Sequence, residues 1–255
     1  NPRGLYPAGY YPHNYHFMWF AATMAGMSEK SMYAARMVAP KVPLEVAREI
    51  YWIQNVLILP MLTSVTFGDW ENVLAAPMPP VELENATAMA HYARGIALAA
   101  TGRGSEAAAE LKSVQEIASR IGATDESEGP EIVVAIASYA LAGEIALRTG
   151  DPQAAADHLA VAAMLEDGMV YEEPPVWYLP IRHTLGRALL EAGRAAEAEV
   201  AYREDLLRFP ANGWSLEGLA QSLEAQGRDD EAAAVKGEFE LAWRDADVVL
   251  AGSRF

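Results

Sequence analysis

Apolar and small residues return every three or four positions over most of the chain, which is the period of a helix with one buried face. Glycine and proline cut that pattern into short lengths that come in twos. The pattern predicts helix pairs at about 12–39, 44–76, 84–120, 130–167, 175–209 and 212–246, after an irregular arm rich in Gly, Pro and Tyr over 1–11. Pro12 suits a first helical turn, because the N–H it lacks would be unpaired there anyway. Almost no strand is expected. The fold class that follows is all-α, with about six antiparallel helix pairs stacked into an alpha-alpha superhelix over 12–255.

Three stretches depart from that regularity. The longest apolar run, Ile50 to Phe67, is interrupted by Gln54, Asn55, Pro60, Thr63, Ser64 and Thr66. A membrane-spanning helix wants about 20 mostly apolar residues, so the run reads as the buried first helix of a worn-down pair. Gly122 to Gly129 is polar and reads as an exposed loop. Glu166 to Pro175 reads as an insertion carrying Glu172-Glu173-Pro174-Pro175, and Trp243 with the tail to Phe255 reads as a cap.

The most regular part is Trp177 to Ala246. Shifting it by 34 residues lays Leu185 on Leu219, Gly186 on Ala220, Gly193-Arg194 on Gly227-Arg228, and Ala198 on Ala232. Leu185, Gly186 and Leu189 form an inner stripe, Gly193 closes the first helix, Ala198 and Tyr202 supply a small-then-large contact, and Pro210 ends the unit. With this period and these positions the segment resembles the tetratricopeptide repeat family. Asp205 stands where the family usually has its last alanine, which is a departure from the pattern. Stacked repeats grow without a second core, so one continuous array is the expected domain count.

Gly26, Gly68, Gly102, Gly150, Gly193 and Gly227 serve as a common register point, at intervals of 42, 34, 48, 43 and 34. The resemblance implies that positions 13, 10, 6 and 3 before each glycine line a concave groove. Those positions hold His13, His16 and Phe20, then Asn55, Tyr92, Glu144, Leu147, His183, Arg187 and Leu190, and finally Trp214, Glu217, Gln221 and Glu224. What the resemblance implies about function is a scaffold that binds a peptide or partner protein in this groove.

Composition adds a second possibility. With 35 acidic against 19 basic residues the net charge is −16, a surface that repels nucleic acid and anionic membranes and favours cations. Neither nucleic acid nor membrane insertion is expected. No cysteine is present, which excludes disulfides and thiol catalysis and leaves the compartment, cytoplasm or periplasm, undetermined. His13 and His16 lie one turn apart on one helix face, where both imidazoles could reach a single zinc or copper ion. A third ligand would come from His183 or Glu144, whereas the register of His91 turns it into the helix packing. Such binding would weaken below about pH 6, as imidazoles with an ordinary pKa of roughly 6.5 protonate. The other reading of His13 and His16 is structural, packed beside Tyr10, Tyr11, Tyr15, Phe17 and Trp19. No zinc-protease motif, phosphate loop or nucleophile elbow occurs, so an enzyme is the less favoured reading.

Tyr11 to Phe17, Tyr171 to Trp177 and Asn212-Gly213-Trp214 together look similar to a group of long, uncharacterised bacterial tetratricopeptide proteins. That resemblance implies further helices and another His-bearing segment upstream. The opening Asn1-Pro2-Arg3-Gly4, without an initiator methionine or signal peptide, accordingly reads as a processed product or a fragment.

Overall fold

The structure, a computed structural model, describes residues 11–121 and 129–255. The expected loop over 122–128 and the arm, apart from Tyr11, lie outside the described residues. The described residues are mostly helical and contain no strand. The first pair is α1 (Tyr11–Met24) and α2 (Ser28–Val38), followed by a 3-10 turn at Ala39–Lys41. Then come α3 (Leu44–Glu49), α4 (Tyr51–Leu57), α5 (Leu59–Thr66) and α6 (Trp70–Ala75). Four regular pairs complete the array: α7 (Glu84–Ala100) with α8 (Gly104–Ile121), and α9 (Pro130–Arg148) with α10 (Pro152–Asp167). The last two are α11 (Ile181–Glu191) with α12 (Ala195–Arg208), and α13 (Gly213–Ala225) with α14 (Asp229–Ala242).

The six register glycines all take positive φ, between 69° and 84°. Each ends an inner helix in the same way. The residue after the glycine donates its N–H to the carbonyl five positions back at 2.8–3.0 Å, as in Met27 to Ala22 and Arg228 to Leu223. This Schellman closure satisfies two carbonyls that the helix end would otherwise orphan.

Two boundaries differ from the sequence pattern, both because of proline. Ile50 to Phe67 is not one helix but α4 and α5, broken at Ile58. Pro60 has no N–H for the Val56 carbonyl and its ring crowds that carbonyl, so a new helix starts with proline in its first turn. The fifth pair begins at Ile181 rather than near 175. Pro180 stands at the N-cap, and the proline-rich stretch before it has no regular structure.

Successive pairs pack in chain order, with α9 held among α7, α8 and α10. Pro130–Arg148 is the one described helix long and apolar enough to cross a membrane, and half of it is buried inside the protein. The array also closes on itself. Trp214 on α13 donates its Nε1–H to the Thr23 carbonyl on α1 at 3.0 Å, and Phe20 meets Phe209 at 5.8 Å between ring centres. Asp247, beyond α14, accepts from the Ser28 and Glu29 N–H groups at 2.6 and 3.0 Å. It thereby caps α2, whose own N-cap, Met27, has no capping side chain.

Tyr202 of α12 passes edge-on between α11 and α13. A Cβ added at Gly186 would stand 2.3 Å from its ring, and one at Gly218 2.2 Å. Gly186→Leu is therefore expected to lower stability by about 1–3 kcal/mol or more through overpacking, with Ala198→Leu behaving alike. Denaturant unfolding at the parental midpoint for both variants would contradict this register.

Candidate peptide-binding groove

Most of the register positions are not an open surface. Tyr92, Glu144, His183 and Trp214 are fully buried, Asn55 nearly so, and Arg187, Glu217 and Gln221 are half-buried. What covers most of them is the chain itself. After α14 the backbone turns at Trp243, crosses to α2 through Asp247, and packs against α9, α11 and α13 as a bent, irregular segment, Ala251–Phe255.

The segment is gripped first by its main chain. Gln221 Nε2 donates to the Ala251 carbonyl at 3.1 Å while also donating to Glu217 at 2.8 Å. Arg187 Nη1 donates to the Arg254 carbonyl at 3.2 Å, its Nε held by Glu191 at 2.9 Å. Arg148 Nη2 donates to the Phe255 oxygen at 3.0 Å, its Nε held by Glu144 at 2.8 Å. Each donor is thus oriented by a carboxylate one helical turn away.

Side chains then fill shaped sites. Ser253 Oγ donates to the His183 carbonyl at 2.7 Å and accepts from the Tyr202 hydroxyl at 2.7 Å. Arg254 is buried, with Nη1 donating to Thr184 Oγ1 at 2.5 Å and with Tyr92 and Tyr178 beside it. Burial opposes its charge, but Glu144 and the two tyrosines more than offset that and hold the guanidinium ionised. The Phe255 ring meets Trp214 edge-on at 5.8 Å and lies over Gly68. The tail that reads as a cap in sequence therefore occupies the groove. Its signal, Gly252-Ser253-Arg254-Phe255 with one basic residue, is too short and aperiodic for any pattern to assign.

Beneath the segment, Asp205 explains the departure from the repeat pattern. Its carboxylate is buried and Oδ2 accepts from His183 Nε2 at 3.0 Å, Asn212 Nδ2 at 2.6 Å and Ser215 Oγ at 2.6 Å, joining the last two pairs. Burial alone would raise its pKa, but the His183 partner and these hydrogen bonds bring it below the ordinary aspartate value. Nearby, Glu166 accepts from the Ile181 N–H at 3.1 Å. Burial of its carboxyl, reinforced by Asp205 and Asp167 against Arg182, pushes its pKa up to about 8. A raised folded-state value means stability fully present below the unfolded pKa, near 4.5, and lost as pH rises towards 8. Glu166→Gln is expected to melt progressively higher than the parent from pH 5 to pH 8, and a pH-independent difference would contradict this.

His13 and His16 lie on α1. They line a cavity of about 230 Å³ with Trp19, Tyr51, Asn55 and the loop Glu172-Glu173-Pro174-Pro175. His16 stacks on Trp19 at 5.5 Å, and burial, then His13, pushes its pKa down to about 4. His13 is exposed, edge-on to Phe17 at 4.7 Å. Asn55 accepts from Asn85 Nδ2 at 3.2 Å. The further ligands that the sequence suggests stand elsewhere: His183 on Asp205, Glu144 on Arg148, and His91 on Glu110 at 2.5 Å. Among the described residues no three His, Asp or Glu side chains gather closely enough to hold a metal ion.

With that geometry in hand, two segments match the family model for the tetratricopeptide repeat, residues 88–112 and 180–204. Those two segments are similar to tetratricopeptide repeats. The first match takes in most of α7 and the first half of α8, and the second all of α11 and most of α12, so each spans a turn glycine with helix on both sides. Comparison with curated protein sequences gives no match. Among solved structures, the crystal structure of MamA protein is similar at TM-score 0.43 and 15% identity, over 78% of this chain and 97% of that chain.

Proposed function

We propose that this protein is an interaction scaffold whose repeat array holds an extended peptide segment of a partner protein on its inner face. The observation that supports the reading is the mode of grip on Ala251–Phe255. Three main-chain oxygens are taken by Gln221, Arg187 and Arg148, a grip on peptide backbone that does not depend on most side chains. Tyr92, Glu144, His183, Trp214 and Glu217 form the walls and supports of that surface. Random peptide display against the folded chain tests it. Ligands recovered should lose binding on Arg187→Ala and Arg148→Ala, and ligands indifferent to both variants would overturn the reading.

A second reading, a zinc or copper ion at His13 and His16, is favoured by one feature. His16 stays neutral at pH 7 and shares a cavity lining with Glu172 and Glu173. Calorimetric titration of zinc at pH 7.5 should then give binding that the double variant His13→Ala/His16→Ala abolishes. Equal binding by both proteins would remove this reading.

A further inference from the structure

Resting on the peptide-scaffold reading, we infer that Ala251–Phe255 is a self-ligand that keeps the groove closed, and that the groove's partner is a segment of another protein bearing an arginine followed by an aromatic residue. Three observations carry this. First, the groove is shaped for those two side chains: a guanidinium site made by Glu144, Tyr92 and Thr184, and an aromatic site made by Trp214 over Gly68. A protein of net charge −16 suits a basic partner.

Second, the segment is not a seamless part of the core. Arg254 Nη2, although buried, has no hydrogen-bond partner, and Trp177 Nε1, whose ring packs on Tyr92, has none either. A buried donor without an acceptor costs free energy that a better-seated ligand recovers. Third, the segment reaches the groove outside every helix. Residues 244–255 contain no helix, Val249 is 89% exposed, and Asp247 and Val248 are tied to Ser28, Glu29 and Trp243 by bonds that do not involve Ala251–Phe255. On this reading, release of Val249–Phe255 opens the groove and leaves those ties in place.

A tethered self-ligand competes at an effective concentration of order millimolar, so a partner meets a weakened apparent affinity until the tether is out. The exchange needs no covalent step.

The test uses a fluorescent synthetic peptide of the sequence Val248–Phe255, titrated by anisotropy into the parent and into the variant Arg254→Ala/Phe255→Ala. Circular dichroism checks that the variant folds, and Arg254→Ala alone replaces it if it does not. The expected result is binding to the variant at least tenfold tighter than to the parent, with loss of binding when the peptide's own Arg or Phe is replaced by Ala. No binding to a folded variant would overturn the self-ligand assignment. Tight binding that ignores the peptide's Arg and Phe would overturn the stated partner chemistry and leave the peptide-scaffold reading standing. A concentration-dependent dimer of the parent that Arg254→Ala dissolves would assign the groove to a second copy and overturn the assignment to a separate partner.

Discussion

Asp205→Ala is expected to lower stability by about 3–5 kcal/mol, since three buried groups lose their shared acceptor at about 1–3 kcal/mol each. The cost has two parts. His183, Asn212 and Ser215 each lose an acceptor in a place that water does not reach, and the last two helix pairs lose the side chain that ties them. Asp205→Asn, which keeps an oxygen in place, should cost less. The pH dependence has a definite sign. Because the folded-state pKa lies below the ordinary value, Asp205 contributes stability that is present above the unfolded pKa, near 3.8, and is lost as pH falls through the folded one. The deficit of the Ala variant relative to the parent should therefore hold near neutral pH and shrink in strong acid. Urea unfolding of parent and both variants at pH 7 and pH 3 measures this, and a deficit below 1 kcal/mol at pH 7 would contradict the role given to Asp205.

Trp214→Ala is expected to cost about 3–5 kcal/mol as well, as for other buried large-to-small changes. The loss falls in a particular place. Trp214 touches Phe67, His183, Trp243 and Phe255 and donates to the Thr23 carbonyl, so it stands where the first pair, the last pair and the self-ligand meet. In a repeat array stability is carried by nearest neighbours. Hydrogen exchange should consequently rise in α1, α2, α13 and α14 and stay close to parental in α7 to α10. A uniform rise would contradict closure through this residue.

The helices and their pairing were largely legible from sequence because turn glycines are local signals. A glycine at the end of an apolar stripe takes a left-handed conformation that other residues resist, and all six did so. Small residues at Gly186 and Ala198 were legible for the same reason: a close helix crossing demands them. Pro60 lies inside so apolar a run that the run dominates the pattern and hides the break at Ile58. The groove was less legible. Register proposes a set of groove residues, whereas what packs against them depends on contacts between residues far apart in sequence, such as Arg254 with Thr184 or Asp247 with Ser28. No period encodes these. Asp205 appeared only as a blemish in the repeat, and its meaning required His183 and Ser215 to be seen around it.

The central claim, that Ala251–Phe255 fills the groove, is tested most directly by thiol labelling, since the chain has no native cysteine. Ser253 is 1% exposed and Val249 is 89% exposed, only four residues away. The account predicts that Val249→Cys reacts with a thiol reagent at the rate of a free thiol, while Ser253→Cys reacts on the order of 100-fold more slowly until denaturant is added. Equal rates for the two variants in native buffer would contradict it.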